Sequence, residues 1–280
     1  MVDDTKLAEL QATARQLRYQ IVRMMGPDKP HHFGGSLSIA DLLTALYFYK
    51  MRYKPSDPEW DDRDRFVMSK GHSIPAQYAA LAVLGVLSLD NLPTLKQLGS
   101  ILQGHPNARM TPGLEACTGS LGQGLSFANG VAMAARIRRL DIRVYCLLGD
   151  GELQEGQVWE GAMGAATHEL DNLCALIDRN HLKSQGDVDE AKQLEPLLEK
   201  WESFGWRTIA IDGHDLRQIC DALDEAEAEK GRPTAIIART AKGKGVPFME
   251  NQYKFHNAAI SREEWEEAMR SLAPEEEVTP

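Results

Sequence analysis

Basic residues are in deficit in this chain of 280 residues: 31 lysines and arginines stand against 41 aspartates and glutamates, a formal net charge of −10. Affinity for a nucleic-acid backbone comes from clustered cations, so this balance argues against a nucleic-acid partner. The one dense basic cluster, Arg136, Arg138, Arg139 and Arg143, lies beside Asp141 where a helix is expected to pass into a strand, and reads as a solvated helix end compensating the dipole. Cysteine is scarcer still. Cys117, Cys146, Cys174 and Cys220 are dispersed with no C-x-x-C pair, and Cys146 and Cys174 fall in apolar runs where a thiol acts as a small hydrophobe, so four reduced cysteines are expected. No apolar run approaches the length that spans a bilayer, and Met1-Val2-Asp3-Asp4 opens no basic-then-apolar leader. A soluble, cytoplasmic protein with no membrane partner is expected. No repeat and no linker divides the chain.

The pattern that is present alternates apolar runs with helical periodicity. Helical spacing holds from Leu7 to Met25 and stops at Gly26-Pro27; after the glycine-rich turn His31 to Ser36, Ser38 is placed to cap a helix through Tyr49 with Asp41 completing the cap. A Pro- and Asp-rich connection, Pro55 to Asp64, leads to a short strand, Arg65 to Met68, which ends in Ser69-Lys70-Gly71-His72. Helices are expected over Leu121 to Ile137, Trp159 to His168 and Leu216 to Glu229, and strands over Val144 to Leu148, Leu173 to Ile177, Thr208 to Ile211 and Thr234 to Ala238. Alternation of this kind predicts an α/β fold with a mostly parallel central sheet and helices on both faces. The domain is expected to fill 1–270, with 271–280 a frayed acidic tail.

Two of the strand ends are rich in oxygen. Gly149-Asp150-Gly151-Glu152 follows one strand, and Ile177-Asp178-Arg179-Asn180 ends the next. Parallel strands put their C-terminal ends on one edge of the sheet, where open α/β sheets bind ligands, so Asp150 and Asn180 should meet there. A carboxylate and an amide carbonyl are hard ligands suited to Mg²⁺, which takes a few such oxygens together with phosphate oxygens; the backbone carbonyl of Leu182 is a third candidate. Gly149 and Gly151 let the chain approach the phosphates, and the following helix turns its positive end toward them. The run Gly119 to Gly124 is neither a Rossmann fingerprint nor a P-loop, and Lys242 to Gly245 lacks the Walker spacing.

Gly149-Asp150-Gly151 followed by Asn180 resembles the metal-diphosphate signature of thiamine-diphosphate enzymes. The longer words resemble the transketolase family in the correct chain order: His32-Phe33-Gly34-Gly35-Ser36-Leu37, Ser69-Lys70-Gly71-His72, Gly104-His105-Pro106, Thr118-Gly119-Ser120-Leu121-Gly122-Gln123-Gly124, Gly149 to Gly156, and Lys242-Gly243-Lys244-Gly245 with Phe255-His256. The resemblance runs from about Leu7 to His256. It implies a thiamine-diphosphate-binding fold, thiamine diphosphate as cofactor, and Mg²⁺, or Ca²⁺ or Mn²⁺ in its place, on Asp150, Asn180 and the Leu182 carbonyl. It implies that His32, His72, His105 and His256 surround the reactive carbon, work suited to imidazole near neutral pH. By the same resemblance His72, Gly119, Ser120, Leu121, Gly122, Gly149, Asp150, Gly151, Asn180 and His256 bind cofactor, and Glu155 joins a carboxylate network between two active sites. His31, His168, His181 and His214 are expected to be structural.

Two positions depart from the family pattern. Phe33 stands where many relatives carry proline, and Lys183-Ser184-Gln185 replaces a more apolar segment that packs on the thiazolium ring. The chain also ends shortly after His256, where a full transketolase continues into a pyrimidine-binding domain carrying the catalytic glutamate. The resemblance therefore implies the N-terminal subunit of a split transketolase, inactive alone, that transfers a two-carbon ketol unit from a ketose phosphate to an aldose phosphate with a separate C-terminal subunit in an α2β2 assembly. Two other readings stay open: the α subunit of a 2-oxoacid dehydrogenase decarboxylase component, and a non-catalytic module that keeps the fold for assembly.

Overall fold

Residues 2–273 are described in the computed structural model. The chain opens on α1 (Asp4–Met25), a turn ahead of the start expected at Leu7, because Asp3 caps it by accepting from the Lys6 amide and that polar first turn carries no apolar mark. The expected Ser38-capped helix is corrected. Helix already forms as α2 (Phe33–Leu37), resumes as α3 (Ala40–Ala45) and widens into a π turn over Leu46–Lys50. A Cβ on Gly34 or Gly35 would come within 2.8 Å of the Lys242 or Ser73 side chain, so close packing outweighs the poor helix propensity of the glycine pair. The Ser38 hydroxyl donates its one hydrogen to Asp178 Oδ2 at 2.7 Å, the shorter and charged contact, with Gly35 O at 3.1 Å beside it. Asp41 caps nothing; it is buried against the Arg18 guanidinium and His214 Nδ1.

The central sheet begins with β1 (Arg65–Met68), followed by α4 (Ile74–Leu84), α5 (Gln123–Arg138), β2 (Val144–Gly149), α6 (Gly156–Thr167) and β3 (Leu173–Arg179). A small antiparallel pair, β4 (Leu182–Lys183) and β5 (Gly186–Asp187), then α7 (Val188–Ala191) and α8 (Leu197–Ser203), lead to β6 (Arg207–Asp212), α9 (Leu216–Ala228), β7 (Thr234–Arg239) and α10 (Arg262–Leu272). The large sheet runs β1-β2-β3-β7-β6, every neighbour parallel. Alternate side chains divide its strands between two cores. Phe66, Met68, Tyr145, Leu147, Cys174 and Leu176 pack with α1, α3, α4 and α9, whereas Val67, Val144, Cys146, Leu148, Ala175 and Ile177 pack with α5, α6 and α8. Burial on both faces is what the uninterrupted apolar runs require, and it bears out the expected α/β class.

Helix α4 escapes a search for periodicity because it is apolar all round: every residue from Ile74 to Ala82 is buried, so no polar face exists to reveal the period. Helices α8 and α10 also went unread, although α10 carries a full capping box between Ser261 and Glu264. Helix α5 begins two residues late because Gly122, at φ 87°, is left-handed. The basic cluster is corrected in part. Arg143 is buried, its guanidinium donating to Ala226 O and its amide to Asp64 Oδ1, whereas Arg136, in the last turn of α5, donates to the carbonyls of His168 and Glu169 just past the neighbouring α6. All four cysteines are unpaired, and Cys117 alone of them is exposed. Among the described residues no helix is long and apolar enough to cross a membrane. The frayed tail expected over 271–280 is corrected at its start, because Ser271 and Leu272 complete the last turn of α10 and Leu272 is buried; 274–280 lie outside the described residues.

Candidate active site

The C-terminal ends of β1, β2, β3 and β7 share one edge. The register that pairs Gly149 with Asp178, and Asp178 with Ala238, puts Asp150 beside the end of β3 and Asn180 beside the chain leaving β7. A cleft of about 420 Å³ opens there, lined by Asp150, Asn180, Leu182, Lys70, Lys242 and the four histidines of the loops, together with Gly119, Leu121, Gly149, Gly151 and Glu155. His32, His72 and His256 form a triangle with ring centroids 5.0, 5.1 and 5.5 Å apart, and His105 stands 6.5 Å from His32. These residues are separated by up to 224 positions in sequence, and only the loops at this edge bring them together.

All four imidazoles are biased to the neutral form. Burial, then the charge of Lys96, lowers His32 to about 4; burial, then Lys242, lowers His256 to about 3. Burial and the neighbouring Lys70 hold His72 well below its ordinary value, and burial with Lys96 lowers His105. His256 Nδ1 is buried and makes no hydrogen bond among the described residues. Gly119 is at φ 154°, and a Cβ there would come within 3.0 Å of the His105 ring, so this loop needs glycine to pass the imidazole.

The oxygen edge is already organised. Burial, then the nearby charge of Asp178, raises the Asp150 carboxyl to about 6. Its Oδ2 accepts from the His181 amide at 2.6 Å and faces Arg179 Nη1 at 3.4 Å, and Oδ1 accepts from the Gly151 amide at 2.7 Å. Asn180 Oδ1 accepts from the Leu182 amide at 3.1 Å, and the Leu182 carbonyl accepts from Lys242 Nζ at 2.8 Å. Burial, then Lys70, lowers Lys242 to about 8. An all-oxygen donor set beside two ammonium groups fits a hard divalent cation bound with a diphosphate. Among the described residues no group of three or more His, Cys, Asp or Glu side chains is arranged to hold a metal ion.

Two predicted positions are missing from the cleft lining, and a third lines it only at its exposed rim. Ser120 is exposed and Gly122 is absent from the cleft lining; the Gly122 amide donates to Glu152 Oε1 instead. Glu155 is exposed at the rim. Phe33 is wholly buried, edge-on to His31, so this departure from the family pattern lies in the core, whereas Lys183 and Ser184 do face the cleft. Sequence reading passed over Lys70, Lys242, Glu152 and Asp178. Both lysines stood inside recognisable motifs, where a lysine in a glycine turn of an acidic chain was the available signal. Glu152 was legible only as a turn residue, yet it joins three segments, accepting from Ser69 Oγ and from the amides of Gly122 and Gly149.

Residues 9–278 match the family described as "Transketolase, thiamine diphosphate binding domain". The chain is 42% identical over 267 residues to the 6-deoxy-6-sulfo-D-fructose transketolase subunit SqwG of Clostridium sp. (strain MSTE9), covering 95% of this chain and 97% of that protein. It is 40% identical over 264 residues to one subunit of the apulose-4-phosphate transketolase of Phocaeicola vulgatus, covering 94% of each. Among solved structures, the transketolase of Campylobacter jejuni superposes with a TM-score of 0.87 at 35% identity over 97% of this chain, which spans 43% of that longer one. By sequence, by fold and by the order of its site motifs, the chain belongs to the transketolase family, matching its thiamine-diphosphate-binding domain.

Proposed function

We propose that the protein is the diphosphate-binding subunit of a thiamine-diphosphate-dependent transketolase that moves a two-carbon ketol unit from a ketose, or its phosphate, to an aldose. One observation carries the reading: four imidazoles converge over an edge that holds Asp150, Asn180 and two lysines. Asp150, Asn180 and the Leu182 carbonyl would hold a divalent cation, Mg²⁺ or in its place Ca²⁺ or Mn²⁺, while Lys70 and Lys242 would offset diphosphate charge. When bound, the cofactor supplies a nucleophilic carbon and an electron sink for the two-carbon unit. The chain's own part is positioning and proton handling. Uncharged His32, His72, His105 and His256 can each accept a proton at one ring nitrogen and donate at the other to sugar hydroxyls, and His256 Nδ1 has no competing partner among the described residues.

The two relatives that are themselves subunits are matched over 94–97% of their own length, which supports a partner polypeptide supplying the pyrimidine-binding domain and its glutamate. We read the assembly as α2β2, with Glu155 reaching from the rim toward a second active site, and the setting as cytoplasmic. The test is to co-purify the chain with its native partner and assay ketol transfer across ketose and aldose phosphates, with thiamine diphosphate and Mg²⁺. Transfer requiring both polypeptides is expected. Transfer by the highly purified single chain would overturn the split reading, and reductive acylation of a lipoyl acceptor in place of ketol transfer would favour a 2-oxoacid dehydrogenase component.

A further inference from the structure

Asp178 is the most completely enclosed charge at this edge, with 0% of its surface exposed, and it does not line the cleft. Its carboxylate gathers four donors from four parts of the chain. Oδ2 accepts from Ser38 Oγ at 2.7 Å, Lys70 Nζ at 2.6 Å and Asn180 Nδ2 at 2.8 Å, and Oδ1 accepts from Thr240 Oγ1. Asn180, two residues on, has an amide with two chemically different ends. A carboxylate accepts and cannot donate, so it can engage only the NH₂ end. With Nδ2 held at Asp178, Oδ1 has to point the opposite way, where it accepts from the Leu182 amide beside the cleft.

We propose that Asp178 is a positioning residue that, holding the NH₂ end while the Leu182 amide meets the other, fixes the Asn180 side chain with its oxygen toward the cleft and so presents it as an oxygen ligand for the divalent cation. The proposal rests on the reading of Asn180 as a metal ligand. An unrestrained amide populates both orientations, and the flipped one presents two hydrogens to a cation; a fixed one suffers no such loss. Ser38 and Thr240 donate to the same carboxylate, one at each oxygen, and Lys70 balances its charge, so the group can stay ionised without exposure. The same carboxylate thereby aligns Lys70 and Asn180, the first for the anion and the second for the cation.

The test measures Mn²⁺ binding by electron paramagnetic resonance in the complex of this chain with its partner, in the presence of thiamine diphosphate. Asp178→Ala removes the acceptor from Asn180 Nδ2, which an asparagine would keep because Lys70 would hold its oxygen at the same place; Mn²⁺ affinity should fall about 10- to 100-fold, the usual effect of removing a group that orients a metal ligand. The double variant Asp178→Ala/Asn180→Asp returns a carboxylate whose two ends are equivalent, so its orientation needs no guide, and it should recover most of the lost affinity. A residue that only stabilises the fold would show no such rescue. Asn180→Ala separates the two readings: unchanged Mn²⁺ affinity in that variant removes Asn180 from the metal site, whereas a weakened Asn180→Ala beside an unaffected Asp178→Ala overturns the positioning role alone. If Asp178→Ala does not fold, the side-chain amide signals of Asn180 in the unsubstituted protein decide. Slowly exchanging Nδ2 protons support the proposal, and rapidly exchanging ones refute it.

Discussion

Asp150 sits in a conflict that its neighbours only partly resolve. Burial and the Asp178 charge favour the protonated carboxyl, and two backbone amides with Arg179 favour the carboxylate, leaving it at about 6. A divalent cation would tip that balance, so Asp150→Ala should cost metal-dependent cofactor binding about 2 to 3 kcal/mol, roughly a hundredfold in affinity. Removing a carboxylate that is costly to bury should leave the thermal midpoint of the apo protein unchanged or raised. Titration calorimetry of the complex and a thermal scan of the variant check both halves, and undiminished cofactor affinity removes Asp150 from the site. His256 presents the complementary case. Its Nδ1 has no partner to lose among the described residues, so His256→Ala should lower turnover by at least about 100-fold, the contribution of a positioned acid or base, while stability changes by less than about 1 kcal/mol. Parallel losses of activity and stability would make it a structural residue.

Among the elements, the edge is held by how closely helices approach strand ends. Helix α5 meets the end of β1 at Gly124, where an added Cβ would lie 2.3 Å from Ser69 Oγ and 2.7 Å from Ser69 Cα. The backbone itself is in the way, so the clash cannot be relieved by a side-chain rotation. Gly130, further along the same helix, meets nothing within 4 Å. Gly124→Ala should therefore cost about 1 to 3 kcal/mol through overpacking, and should also weaken cofactor binding by displacing Ser69 and its neighbour Lys70. Gly130→Ala should be neutral or stabilise by up to about 1 kcal/mol, the helix-propensity difference. Urea denaturation of the two variants compares them directly; equal effects would mean that the contact at Gly124 is not what sets the spacing of α5 and β1. Closely packed glycine also explains why α2 went unread: Gly34-Gly35 looks like a turn in sequence and is a helix in the fold.

Across the protein as a whole, the buried imidazoles set the response to acid. Their folded-state values lie below the ordinary 6.5, at about 4 for His32 and about 3 for His256, so between those values the unfolded chain takes up protons that the folded one refuses. Stability should fall as pH drops below about 6.5, by at most about 1.4 kcal/mol per pH unit for each histidine, and by less for His32 and His256, which are only partly buried. Asp150 acts in the opposite direction, since its raised value favours the folded state as pH falls from about 6 toward 3.8, and burial raises Glu115 and Glu152 in the same sense; these three carboxylates stand against six histidines held below 6.5. Chemical denaturation of the apo protein at pH 7, 6 and 5 should give steadily lower stability; a flat or rising trend would mean that the histidines are not neutral in the fold.

Fold class and most of the residues gathered at the candidate site were already written in the order of the residues. Strands buried on both faces must be written as unbroken apolar runs, and phosphate or metal chemistry needs glycine turns, hard oxygens and imidazoles whose identity no packing arrangement can supply. Asp150, Asn180 and four of the eight histidines were marked in the same way, because each lies in a turn within a recognisable motif. Direction and partnership, by contrast, emerged only when the chain closed on itself. Ser120, read as a site residue from its motif, is exposed and absent from the cleft lining, and Arg143, read as solvated, is buried against Ala226 O. Asp178 was one more acid in a strand until Ser38, Lys70, Asn180 and Thr240 gathered around it. Those four donors come from positions as much as 202 residues apart, and local spacing carries no record of which side chains the folded backbone will set within hydrogen-bonding distance.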